Sequence, residues 1–215
     1  MILASVLAAL SASQAYPLTQ VLDAATDACR ASVANDIDSA DLSLGWVKFE
    51  PNPDSWIAEY VDSQSLGPGF TFDISVYRKV VEGRELLAAI AHVGLRENPS
   101  VRRISCEIFD PDAIIEAKSV DYASWAGRTP TRDIMNEYGN SAAGDLNLAA
   151  ILLGARERGS SGDATTDGIS PVMLQWRPGL FPSSDETLIH YFDPRLGDPI
   201  SDIRPGLTYQ AQIRS

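Results

Sequence analysis

Histidine and cysteine are the scarcest reactive side chains in this sequence, present only as His92, His190, Cys29 and Cys106. His92 lies in the apolar run Ile90-Ala91-His92-Val93, and His190 lies in Leu188-Ile189-His190-Tyr191-Phe192. In such runs a histidine reads first as a strand residue with a hydrogen-bond partner, and only second as a general base. The catalytic reading worth testing is a hydrolase built around His190 and a nearby carboxylate, with Asp193 the first choice. Zinc would need three or four ligands, and no CxxC, HxxxH or HExxH spacing gathers them. The GxSxG and SxxK nucleophile signatures are absent. So are the GxxxxGK[ST] and GxGxxG phosphate loops. The sequence implies no cofactor and no metal.

Carboxylates are plentiful but poorly organised for calcium. Asp163 and Asp167 precede Gly168, and Asp193, Asp198 and Asp202 cluster near the end. Neither group has the DxDxDG register of a calcium loop. Pro194, Gly197 and Pro199 make the second group read as turns, where Asp side chains bond the local backbone. Of the four tryptophans, Trp46 and Trp176 fall on expected strands and Trp125 on a helical face, where aromatics fill core. Trp56 follows Pro51-Asn52-Pro53-Asp54 in a segment whose periodicity favours neither helix nor strand. It is the aromatic residue expected to be available for binding.

The compartment decides how the cysteines are read. Residues 1–15 carry no charged side chain, Ile2 to Leu10 are apolar, and Ser13-Gln14-Ala15 is a small-x-small sequence. This is the layout of a secretory leader with cleavage after Ala15, although the usual Lys or Arg at its start is missing. The alternative is an apolar first helix packed on the domain. The run is too short for a membrane span, which takes about 20 apolar residues. In an oxidising compartment a Cys29–Cys106 disulfide is expected. Pro17 to Ala34 read as a helix with Leu18, Val21, Leu22, Ala25, Cys29 and Val33 on one stripe. Val101 to Phe109 read as a strand with Ile104, Cys106 and Ile108 on one face. A helix packed on that face would bring the two sulfurs together.

Charge narrows the partners. Against 29 Asp and Glu stand 17 Lys and Arg, for a formal charge of −12 and a pI near 4.5. Such a surface repels nucleic acid and anionic lipid on approach. A hydrophobic fraction of 45% excludes a disordered chain. The 215 residues suit a leader over 1–15 and a single domain over 16–215.

Gly45–Glu50 read as a short strand stopped by Pro51 and Pro53. Phe70, Phe72, Ile74 and Val76 alternate with Thr71, Asp73, Ser75 and Tyr77 as in a half-buried strand. Glu82-Gly83-Arg84 breaks the run, and Leu86 to Val93 complete a hairpin. Asp110-Pro111 is expected to open a helix reaching about Trp125. A second helix is expected over Leu146–Arg158, and the Gly-rich stretch 159–168 reads as a loop. Strands are expected at Val172–Trp176, Thr187–Phe192 and Leu207–Ile213. Strands in consecutive runs point to an α+β fold, a mainly antiparallel sheet of about 5–7 strands with helices on one face. The functional expectation is an exported, periplasmic or secreted protein that binds a protein or envelope component without catalysis. Its oligomeric state is not legible.

Overall fold

A computed structural model describes residues 15–34, 45–64, 69–135, 172–196 and 205–214. The expected leader up to Gln14, the helix expected over Leu146–Arg158, the loop expected over 159–168 and the carboxylates Asp163, Asp167, Asp198 and Asp202 lie outside the described residues. The strands are β1 (Val47–Lys48), β2 (Phe70–Val81), β3 (Arg84–Leu95), β4 (Asn98–Asp110), β5 (Arg132–Asp133), β6 (Val172–Trp176), β7 (Ser184–Phe192) and β8 (Gly206–Arg214). They form one antiparallel sheet in the order β1-β2-β3-β4-β8-β7-β6-β5. The helices are α1 (Leu18–Ala34), α2 (Trp56–Ser63) and α3 (Ser119–Ala126).

The sheet is larger than the expected 5–7 strands, with eight, and the class is sheet-rich more than plainly α+β. The extra strand is β5, two residues long at one edge; β1, also two residues, is the shortened form of the strand expected over Gly45–Glu50. Period-two patterning cannot register segments that short. The β2–β3 hairpin turns at Glu82-Gly83, whose φ values of 47° and 79° are both positive. That pair gives the turn the twist that suits flanking strands, and glycine at the second position adopts it without a Cβ penalty.

Alternation along the strands separates two faces. One carries Tyr77, Leu86, Ala88, Ile90, Ile104, Cys106, Ile108, Ile189, Tyr209 and Ala211, all in the main core. α1 lies on it through Val21, Leu22, Ala25, Ala28 and Cys29, and α3 adds Tyr122, which is fully buried. Cys29 and Cys106 form a disulfide with Cα atoms 5.5 Å apart, as the helix stripe and strand face together imply. The opposite face holds a smaller cluster of Ile57, Val76, Ala89 and Phe109 under α2. Helices therefore occupy both faces of the sheet, not one.

The helix expected from Asp110 starts later. Pro111 and Asp112 form a turn, residues 113–118 are irregular, and helix begins only at Ser119. Asp110 does not act as a cap because its carboxylate is committed to long-range partners. Arg84 grips it with both Nε and Nη2, the latter 2.8 Å from Oδ1, and the Tyr16 hydroxyl donates to Oδ2 at 2.8 Å. Tertiary bonding overrode a local signal here. The segment between Asp54 and Asp62, undecided by periodicity, is helical as α2. Ser55 caps it by accepting from the Ala58 N–H at 3.4 Å.

Candidate functional site

α2 stands over β2 and leaves a groove of about 220 Å³ beside it. Phe49, Val61, Ile74 and Val76 supply its apolar walls, and Lys48, Glu50 and Asp62 supply charge. The groove exists because β1 is so short. After Lys48 the chain makes one more ladder-like bond, from the Phe49 N–H to the Val76 carbonyl at 3.1 Å, and then leaves the sheet. It turns at Asn52, where the Ser55 N–H and hydroxyl both bond the Asn52 carbonyl, and enters α2. Next to Lys48 in its lining, Val47 is 56% exposed.

A second notable feature lies on the same sheet face, toward its middle. Glu107 on β4 accepts a hydrogen bond from Gln210 Nε2 on β8 at 3.0 Å, and Tyr60 and Ser105 also bond it. Burial pushes its carboxyl above the ordinary range, and those three bonds pull the other way. Next in the row, Gln212 Nε2 donates to Ser105 Oγ at 3.0 Å. Farther along, Gln175 Nε2 donates to Glu186 Oε1 at 2.5 Å, and Arg177 holds the other oxygen of Glu186. These side chains satisfy one another across strands, so the row works as a polar ladder that fixes register. Sequence reasoning passed over Glu107. The available signal was a carboxylate between Cys106 and Ile108, in the apolar half of its strand.

His190 and Asp193 are not brought together. His190 stands opposite Thr208 and Met173 on the α2 side of the sheet, with its ring 6.0 Å from that of Phe192. Asp193 is buried and gripped by Arg195, with Nε 2.9 Å from Oδ1 and Nη2 2.5 Å from Oδ2. That ion pair holds its carboxyl below the usual range, and its field acts on Tyr191, a residue of the α1 side. His92 and His190 also project from opposite faces, since His92 follows the alternation of Ala88 and Ile90. Trp56 sits in the first turn of α2, partly buried, its ring edge-on to Phe109 at 5.4 Å; Tyr60 approaches the same ring at 5.2 Å. Among the described residues no three His, Cys, Asp or Glu side chains group to hold a metal ion, and no helix is long and apolar enough to cross a membrane.

Burial pulls the His190 imidazole from 6.5 down to about 4. The folded protein thus stays unprotonated where the unfolded chain takes a proton. Stability tied to this group is present above pH 6.5 and is lost as pH falls toward about 4. At one pKa unit per about 1.4 kcal/mol, the loss reaches up to roughly 3 kcal/mol. Urea unfolding at pH 7, 6, 5 and about 4 should show this slope in the wild type and a flatter one in His190→Gln. Parallel slopes would mean that the ring is hydrated in the folded state.

No family model matches the chain, and no curated protein or solved structure is similar to it.

Proposed function

We propose that the protein is exported and acts by binding a protein or envelope component through the β1–β2 side of its sheet, without catalysis. The observation that carries this reading is an apolar groove of about 220 Å³ opening beside a sheet edge that no described residue covers past Phe49. Concave apolar surface beside unpaired backbone suits recognition of another chain. The hydrolase alternative has less support, because the Asp193 carboxylate is paired with Arg195 and burial is the one influence on the His190 imidazole.

Export is supported by the Cys29–Cys106 disulfide, which fits a compartment outside the reducing cytoplasm. The contacts of Tyr16 are compatible with it. Ala15 is exposed, whereas the Tyr16 hydroxyl is bonded to Asp110 and Arg84 lies 5.0 Å over the Tyr16 ring. Tyr16, the residue after the expected cleavage point, is thus held by the sheet. Expression of the full gene in a bacterial host, followed by fractionation and intact mass, should recover protein outside the cytoplasm. It should begin at Tyr16 and lack the two thiol hydrogens. A photo-reactive residue at exposed Lys48 should cross-link to an envelope partner, while one at Val120 on α3 should not. Uncleaved cytoplasmic protein, or equal labelling from both sites, would sink the reading.

A further inference from the structure

The chain's own strand cannot continue along β2 past Phe49. Val47 pairs with Arg78 and Lys48 with Tyr77, a register that would set residue 51 opposite Ile74 and residue 53 opposite Phe72. Both positions are proline. Proline has no N–H to offer the carbonyls of Ile74 and Phe72.

Hairpin geometry shows which backbone groups face outward. Val81 and Arg84 flank a two-residue turn, so Val81 and every second residue before it bond β3. Phe72, Ile74 and Val76 therefore turn N–H and C=O toward the open side, as the Phe49–Val76 bond confirms. The outward carbonyl of Phe70 is taken by Arg96 Nε at 3.1 Å. Among the described residues nothing bonds Phe72 or Ile74 on that side.

We propose that an extended segment of a partner protein adds to β2 at Phe72 and Ile74, antiparallel to it, in the line that β1 abandons. This rests on the binding reading above and specifies the partner's chemistry. Residues opposite Phe72 and Ile74 exchange backbone bonds with them and lay their side chains on the α2 side, beside Ile74 and Val61 in the groove. Those residues are apolar. The residue between them stands opposite Asp73, which is exposed, and in a chain of net charge −12 its complement is Lys or Arg. The ligand is thus an apolar–basic–apolar strand. A second copy of the chain is disfavoured as the occupant, because two molecules of charge −12 repel on approach.

The test uses the disulfide-intact protein, labelled with ¹⁵N, and an acetylated and amidated (Val-Lys)₃ peptide. Amide shifts should concentrate at Phe72, Ile74 and Val61. N-methylation of the valines removes the donors facing β2 and should weaken binding about tenfold or more, whereas N-methylation of the lysines should not. A (Val-Glu)₃ peptide should bind about tenfold more weakly than (Val-Lys)₃, and Asp73→Lys, a change at an exposed site, should reverse that preference. Shifts elsewhere, equal binding of both methylated forms, or an Asp73→Lys variant with unchanged preference would overturn the proposal. An edge-dependent dimer in sedimentation would overturn it in favour of self-pairing. If the peptides fail while the Lys48 probe still captures an envelope partner, only the strand-addition proposal falls; if both fail, the binding reading falls with it.

Discussion

Replacing Cys29 and Cys106 together by alanine should lower the unfolding free energy by about 4–5 kcal/mol. The bridge spans 77 residues of sequence, and in the chain-entropy view a cross-link of that reach removes much freedom from the unfolded chain. Alanine is the informative replacement. Both sulfurs are fully buried in the main core, and serine would add two hydroxyls with no assured partner. The bridge also joins elements of different kinds, α1 to the middle strand β4. Its loss should therefore loosen the helix from the sheet before the sheet itself opens. Urea unfolding of the double variant against oxidised wild type measures the total, and hydrogen exchange along α1 reports the order. A loss under about 1 kcal/mol would show that the core holds the helix without the bridge. The same result would remove the physical reason for maturation in an oxidising compartment.

Asp110→Ala should cost about 3–5 kcal/mol, the range for breaking a buried ion pair from one side. Asp110 is 2% exposed and accepts from Arg84 twice and from Tyr16 once. Removing it strands a guanidinium that is only 26% exposed and leaves the Tyr16 hydroxyl without this acceptor. Arg84 sits at the start of β3, Asp110 at the end of β4 and Tyr16 just before α1, so one carboxylate ties together three chain segments. Asp110→Asn keeps an acceptor but loses the charge, and should cost roughly half as much. The double variant Asp110→Ala with Arg84→Met should recover part of the loss, because no buried charge is then left unpaired. Denaturant midpoints for the four proteins complete the cycle. Strict additivity would show that the pair is screened by water and that the cluster does not anchor the first residues of the folded body.

The positions of most strands along the chain were legible because they depend on local patterning; the β4–β8 pairing that joins the two halves of the sheet was not. Val172–Trp176 matches β6 at both ends, and the alternation of Phe70 to Tyr77 belongs to β2 as expected. Cys29 and Cys106 could be paired in advance for the same reason. A helix stripe and a strand face each follow from spacing alone, and a buried helix has few ways to lie on a sheet. Trp46 and Trp176 are core residues, as expected, although Trp46 lies just ahead of β1.

What stayed illegible depended on contacts between distant residues. Asp110-Pro111 carries a proper helix-start signal, yet Arg84 and Tyr16 claimed the carboxylate and moved the helix to Ser119. The two-residue strand β5 at the sheet edge was beyond the reach of periodicity. His190 and Asp193 are neighbours in sequence, but one continues a strand face and the other is drawn to Arg195. The candidate site shows the division best. Pro51 and Pro53 are plainly visible as strand stoppers, and their chemistry alone ends β1. Only the β1–β2 register reveals that they fall opposite Ile74 and Phe72, because register is set by pairing across the sheet and spacing along one strand carries no record of it.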